Sequence, residues 1–231
     1  NSNTVNTLTI DAVGTILFAT GASTFNALTV EADGEVDANI NVTTDTGALV
    51  IDADDDNDAN TGDGRLDIAT GVQLAAKTAL TLDATEGGIV FAGTGTLNAE
   101  TGITTVNAVT ATAGNITIDA DVDDNGAGTF TNSAAFNAAG RTLDITAGTV
   151  DFNGTVAAAT LNITDSHGGG IGLGGTPVSG FQLTGAELEQ VTTTTLMELI
   201  TAGGVTVNGI TATNSNTVNT LTIDAVGTIL F

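Results

Sequence analysis

Short runs in which apolar and polar residues alternate recur along the whole chain. The first is LTIDA at residues 8–12, where Leu, Ile and Ala alternate with Thr and Asp. Comparable runs begin near residues 27, 48, 65, 79, 95, 115, 141 and 160. Since successive side chains of a strand point to opposite faces, this period of two predicts β-strands with one apolar and one polar face.

The spacing of these runs predicts stacked coils. Each run has a Leu or Ile anchor, and successive anchors lie about 19 residues apart on average. The anchors are Leu8, Leu28, Leu49, Leu66, Leu80, Leu97, Ile116, Leu143 and Leu161. A coil of about 20 residues, with short strands separated by Gly, Asn and Asp turns, is typical of a parallel β-helix, or β-solenoid. We therefore predict an all-β parallel β-helix with six phenylalanines in its interior: Phe18, Phe91, Phe130, Phe136, Phe152 and Phe181.

A sandwich or barrel of antiparallel hairpins is the alternative fold, because short strands at regular spacing also fit it. Hairpins favour Asn-Gly or Asp-Gly between their strands. Such pairs occur only at residues 33–34, 63–64, 125–126, 153–154 and 208–209, so they do not separate every pair of strands. The turn chemistry therefore favours the β-helix.

The same eighteen residues, NSNTVNTLTIDAVGTILF, occur at 1–18 and at 214–231. The offset from Asn1 to Asn214 is a period of 213 residues. We predict that residues 1–213 are one solenoid repeat of about ten or eleven coils, and that 214–231 begin the next identical repeat. At about 4.8 Å per coil, such a repeat would be on the order of 50 Å long. The alternative is a closed domain whose matching first and last strands pair.

The strongly acidic composition of the chain argues against partners that carry negative charge. The chain has 27 acidic and 3 basic residues, a formal net charge of −24, so it lacks the Lys and Arg that neutralise phosphates. We expect no nucleic-acid partner and no binding to anionic membranes. The absence of Cys excludes disulfides and thiolate metal sites, and no apolar run is long enough for a membrane span. No signal-peptide pattern is visible, as expected of an internal part of a longer array.

Two acidic loops have the composition of calcium sites. In the first, acidic and amide side chains alternate as in a calcium-binding loop, with Asn57 in place of the usual turn glycine. Its candidate ligands are Asp52, Asp54, Asp56, Asp58, Asn60 and Asp63. The second loop offers Asp119, Asp121, Asp123 and Asn125. Close carboxylates repel each other unless a cation lies between them, so calcium is the predicted cofactor, and solvated bulges that bind nothing are the alternative.

No catalytic constellation is evident. His167 is the only histidine, and its neighbours Asp165 and Ser166 are too close in sequence to form a triad with it. The glycines between 168 and 175 lack the Lys of a phosphate-binding loop. A β-helix enzyme acting on polysaccharides would need carboxylates combined with basic or aromatic residues, which are scarce here. We expect no enzymatic activity.

The segment FQLTGAELEQVTTTTLMELITAGGVTVNGIT, from Phe181, resembles the repeats of large filamentous haemagglutinin-like exoproteins. The matching residues are Leu183, Thr184, Ala186, Glu187, Leu188, Leu196 and 205–207. Residues 184–187 also have the pattern of a capping box, which predicts one helical turn at 185–190. The resemblance implies a right-handed β-helix that is secreted and displayed at the cell surface, or released, as an elongated fibre.

Together these observations predict a structural repeat of a giant secreted or cell-surface protein that forms a long, stiff, acidic extracellular filament. The alternative is the stalk of a filamentous adhesin whose receptor-binding tip lies elsewhere. The expected partners are neighbouring repeats, stacked end to end, and other filaments in lateral bundles held by calcium between acidic faces.

Overall fold

The computed structural model describes residues 6–57, 64–175 and 180–231, and strands dominate them. The first fifteen strands are β1 (Leu8–Ala12), β2 (Ile16–Phe18), β3 (Ser23–Phe25), β4 (Leu28–Ala32), β5 (Val36–Ala38), β6 (Val42–Thr44), β7 (Leu49–Asp52), β8 (Arg65–Ile68), β9 (Val72–Ala76), β10 (Ala79–Asp83), β11 (Gly88–Phe91), β12 (Gly95–Ala99), β13 (Gly102–Thr105), β14 (Val109–Ala111) and β15 (Ile116–Asp119).

Two short helices lie among the later strands. The elements are β16 (Thr129–Asn132), β17 (Phe136–Ala147), β18 (Thr149–Phe152), β19 (Val156–Asp165), β20 (Ile171–Gly174), β21 (Phe181–Leu183), α1 (Gly185–Gln190), β22 (Val191–Thr201), β23 (Val205–Asn208), α2 (Ala212–Ser215), β24 (Leu221–Ala225) and β25 (Ile229–Leu230). No helix in the part of the chain that the structure describes is long and apolar enough to cross a membrane.

From β1 to β16 every third strand returns to the same sheet, and β18 is the next strand of that sheet after β16. The first sheet, here called the first face, has the order β1-β4-β7-β10-β13-β16-β18, and all of its pairs are parallel. Its register keeps apolar residues in line, as where Leu8 pairs with Leu28 and Leu28 with Leu49. The antiparallel sandwich is therefore wrong, because the described strands pair in parallel with strands of the next circuit.

The second sheet contains two further faces. The second face comprises β2, β5, β8, β11 and β14, and the third face comprises β3, β6, β9, β12, β15 and β24. Strands β17, β19 and β22 belong to both faces, since each continues from one to the other through an irregularity near its middle. In β17 this bend includes Gly140, whose φ of +76° is a left-handed conformation that glycine adopts without strain.

Near the end of the chain the first face continues as a small separate sheet. Its order is β21-β20-β23-β25, so β21 is inserted ahead of the strand that precedes it in sequence. The inserted strand lies beside β18, and the amide N of Gln182 is 3.4 Å from Oγ1 of Thr149. All of these features are consistent with an all-β parallel solenoid.

The apolar side chains that alternate along the strands form one buried core between the faces. All six phenylalanines predicted in the interior are buried. Phe130 makes edge-to-face contacts with Phe136 and Phe152, with ring centroids 6.1 and 6.3 Å apart. Burial of this continuous column is the main stabilising contribution to the stack, since no single circuit encloses its own apolar face.

The predicted regular step of about 19 residues is wrong. Leu49 pairs with Leu80 rather than with Leu66, which lies on the second face beside Val36. The anchors belong to different faces, because a circuit contains up to three alternating strands and the loops between them differ in length. Along the third face, the described residues form nine stacked strands from β3 to β24, so ten or eleven coils between the two eighteen-residue copies are too many.

The predicted helical turn at 185–190 is confirmed as α1. The Glu187 amide donates to Oγ1 of Thr184 over 3.2 Å, and the Thr184 amide donates to Oε2 of Glu187 over 2.7 Å. This reciprocal pair is the predicted capping box.

Candidate functional site

Acidic side chains on the outer surface of the first face lie in register from one circuit to the next. Asp11 pairs with Glu31, and Asp52 pairs with both Glu31 and Asp83. We call these four residues the acidic ladder. Adjacent strands are about 4.8 Å apart, so the carboxylates are held at close range. Burial raises the pKa of Asp83, and the charge of Asp52 raises it further.

A second group of acids, on the second face, is compact enough to hold a cation. Carboxylate oxygens of Glu35, Asp37 and Asp67 lie within 4.8 Å of one another, and we call these residues the acidic cluster. Asp37 and Asp67 are register partners on β5 and β8. Arg65 pairs with Glu35, at 3.1 Å, and with Asp67, so a guanidinium already neutralises part of the charge.

The surroundings of the acidic cluster form a shallow groove of about 330 Å³. It is lined by Asp37, Asn39, Arg65, Asp67, Ile68, Ala69, Val90, Ala92 and Thr112. Burial raises the pKa of Glu35, with smaller contributions from a hydrogen bond to Asp67 and the charge of Asp37, while Arg65 opposes them. The hydrogen bond to Asp67 also raises the pKa of Arg65.

The sequence analysis did not identify the acidic cluster. The only signal is a pair of charged residues flanking an apolar one, at 35–37 and again at 65–67. These segments are thirty residues apart, so only the register of β5 on β8 brings them together.

The first predicted calcium loop is described only up to Asn57, so Asp58, Asn60 and Asp63 lie outside the described residues. Asp54 is buried, and its Oδ2 accepts the Glu86 amide over 3.0 Å. The Asp54 amide in turn donates to Oδ1 of Asp52 over 3.1 Å, whereas Asp56 is exposed. Asn57, which stands in place of the usual turn glycine, has a φ of +48°, a left-handed conformation.

The second loop has the same geometry. The Asp121 amide donates to Oδ1 of Asp119 over 3.2 Å, and Asp124 has a φ of +53° at the position equivalent to Asn57. Asp123 accepts the side-chain amide of Asn125 over 2.8 Å. Burial raises the pKa of Asp119.

The buried carboxylate of Asp121 is surrounded by donors from the protein itself. It accepts the Gly126 amide over 2.7 Å, the Gly128 amide over 3.4 Å and the Ser166 hydroxyl. Burial alone would raise the pKa of Asp121, but these hydrogen bonds outweigh it and lower the pKa below 3.8. Within the described residues, neither loop brings three carboxylates within 4.8 Å, and calcium at the loops stays a prediction.

Asp165, Ser166 and His167 do not face one another as a catalytic triad would. Asp165 accepts the Gly170 amide over 2.9 Å and the Thr201 hydroxyl over 2.8 Å, while Ser166 donates to Asp121. Nδ1 of His167 is 3.2 Å from the carbonyl oxygen of Asp124. These contacts join neighbouring circuits at a corner.

The three basic residues all contact the protein itself. Arg65 binds the acidic cluster, Lys77 pairs with Glu100, and Arg141 donates to the carbonyl of Thr112. The remaining outward positions of the strands are largely Thr, Asn and Asp, so the surface is acidic.

Comparison of the chain with models of known protein families, with curated proteins and with solved structures found no match.

Proposed function

We propose that this chain is a structural repeat of a long, stiff filament built from a parallel β-solenoid. The observation that carries the proposal is the position of the two identical segments. Strand β1 begins the first face and pairs only with β4 among the described strands, whereas its copy β24 ends the third face and pairs only with β22. The repeated sequence therefore lies at both open edges of the stack.

Open strand edges favour further pairing, because their amide and carbonyl groups lack partners. A tandem array satisfies both edges, since each copy of residues 1–18 then has a strand below it and a strand above it. This explains why the same segment occurs at 1–18 and at 214–231. The circuit count gives each 213-residue repeat a length of about 40 Å, shorter than the regular step would give.

The composition supports a structural role, and the resemblance of one segment supports a location outside the cell. An acidic surface with a net charge of −24 per chain keeps long fibres soluble and apart. The likeness of the segment from Phe181 to filamentous haemagglutinin-like repeats supports secretion, display at the cell surface and a right-handed coil. In the described part of the chain, Asp165, Ser166 and His167 do not contact one another as an acid, a nucleophile and a base would.

Lateral bundling through calcium is the second part of the proposal. The acidic ladder and the acidic cluster face outward on two different faces, and divalent cations between such surfaces would relieve repulsion between filaments. Calcium at millimolar concentration should bundle the filaments, and a chelator should disperse the bundles without unfolding them. Equal bundling by matched ionic strength of NaCl would show screening rather than calcium bridging.

The filament proposal is tested with arrays of one, two and four repeats, each followed by residues 214–231. Small-angle scattering should give one constant cross-section and a length that rises by about 40 Å per repeat. Arrays that behave as separate globular bodies on flexible tethers, with no linear growth in length, would refute the proposal.

A further inference from the structure

The two identical segments lie on different faces of the stack. Strand β1 (Leu8–Ala12) lies on the first face, under β4. Its copy, β24 (Leu221–Ala225), lies on the third face, where Met197 pairs with Leu221 and Leu199 with Ile223. One sequence thus extends two different sheets.

The strand that follows each copy is displaced in the same direction. Strand β2 begins the second face, whereas its copy β25 pairs with β23 in the sheet that continues the first face. The displacement is one face in both cases. Strand β1 is on the first face and its copy β24 on the third, whereas β2 is on the second face and its copy β25 continues the first. Both strands of the segment are therefore displaced together.

The segment keeps the same inward side chains in both places. Leu8 and Ile10 are half-buried while Thr9 is exposed, and the copies Leu221 and Ile223 are likewise half-buried. The alternation of burial is identical over all five residues of β1 and β24. Its apolar positions therefore fit the interior equally well behind either face.

The second copy also presents apolar surface that is covered in the first. Ile16 is 8% exposed, whereas its copy Ile229 is 38% exposed. Strand β5 pairs with β2. The end of the stack at β24 and β25 therefore fits a further circuit whose first strands are copies of β4 and β5.

We infer that neighbouring repeats of the array are rotated by one face, about one-third of a turn, so that the first face of each repeat continues the third face of the preceding one. The inference depends on the proposed array. Identical segments inside an array have identical surroundings, so the strand equivalent to β22 lies beneath every internal β1. The 213-residue period then corresponds to eight and two-thirds circuits, because β24 is the ninth strand on the third face.

This rotation determines how the filament meets a partner. Three successive repeats point the acidic cluster in three directions, and the fourth restores the first direction after about 120 Å. A second filament therefore meets the same acidic surface from any side. A lateral bundle held by cations needs such access from all sides.

The face on which the copy lies is tested in the 231-residue chain, which has no cysteine. Glu198 and Thr222 are register partners with outward side chains, so the double variant Glu198→Cys with Thr222→Cys should form an intrachain disulfide under mild oxidation. Without the rotation, the copy would lie on β23, and Thr222 would be beside Thr206 instead. A disulfide in Thr206→Cys with Thr222→Cys, and none in the first variant, would overturn the inference.

A matched control shows that a cysteine at 206 can react. Thr206 and Leu230 are register partners, so Thr206→Cys with Leu230→Cys should also form a disulfide.

In a four-repeat array, electron cryo-microscopy should find a rotation of about one-third of a turn per repeat. A stacked array with no rotation would overturn the inference and leave the filament proposal intact, whereas an array that does not stack would refute the filament proposal, which the single-chain disulfides do not test.

Discussion

Three aspartates among the described residues are buried at corners: Asp54, Asp121 and Asp165. A buried carboxylate is costly unless hydrogen bonds replace its water. Each of these accepts a backbone amide, from Glu86, Gly126 or Gly170. At the residue scale, acidic residues thus do two different things: the buried ones connect the turns, and the outward ones give the surface its charge.

Replacing Asp121 by Asn should lower the free energy of unfolding by about 1–3 kcal/mol, because the charged acceptor of two amides and a hydroxyl is lost. Asp151→Asn, at an exposed position on the first face away from this loop, is the matched control and should change it by less than about 0.5 kcal/mol. Urea unfolding of both variants measures the difference. Equal effects would show that Asp121 has no special role in joining the turns.

The Asp121 effect should also depend on pH. Its pKa is lowered from 3.8 in the folded protein, so the stability it contributes is complete above pH 3.8 and is lost as the pH falls through the folded pKa. The destabilisation caused by Asp121→Asn should therefore shrink below pH 3.8. A penalty that is the same at pH 2.5 and pH 6 would contradict this assignment.

Asp83, in the acidic ladder, should have the opposite effect on the pH dependence of stability. Because the folded protein raises the pKa of Asp83 above 3.8, its ionised form destabilises the fold, and stability should rise as the pH falls from 7 towards 3.8. Asp83→Asn should increase the melting temperature at pH 7 and flatten this rise. Asp151→Asn, at an exposed position beside Thr131 on the first face, is the control and should change the melting temperature at pH 7 less than Asp83→Asn does.

At the element scale, the closest backbone contacts between circuits include those at the corners, where the strands are joined. Gly154 lies where circuits meet, and an added Cβ would be 2.1 Å from the carbonyl oxygen of Ala134. Asn132 holds the same corner, donating to the carbonyls of Ala134 and Gly154 over 2.8 and 3.0 Å. A side chain at 154 would therefore push two circuits apart.

Gly154→Ala should lower the free energy of unfolding by about 1–3 kcal/mol through this overpacking. Gly14→Ala is the matched control, since nothing lies within 4 Å of a Cβ there, and should change it by less than about 0.5 kcal/mol. Thermal melts of the two variants show whether the loss of stability comes from the steric clash at residue 154 or from any replacement of glycine by alanine. Similar losses in both would count against close stacking at the Gly154 corner.

The sequence predicts the elements better than their positions. The alternation of apolar and polar residues predicts the strands, and the capping-box pattern at 184–187 predicts α1. The apolar character of phenylalanine predicts the six buried rings. It could not assign the strands to faces, because Leu66 and Leu80 look alike as anchors although they lie on different sheets. The acidic cluster was missed for the same reason, since register across circuits depends on loop lengths that composition does not reveal.

At the scale of the whole molecule, two properties act together. The parallel stack can lengthen by adding circuits, each of which covers the apolar edge of the one before. The net charge of −24 works against unwanted lateral association of such edges and surfaces. The proposed filament would therefore grow along its axis while its charge opposes association from the side.

The most direct test of the filament is electron microscopy of the native material, with a power spectrum computed along any thread that is found. The account predicts a layer line near 4.8 Å from stacked strands and an axial rise of about 40 Å per repeat. Discrete globular particles with no layer line near 4.8 Å would contradict it.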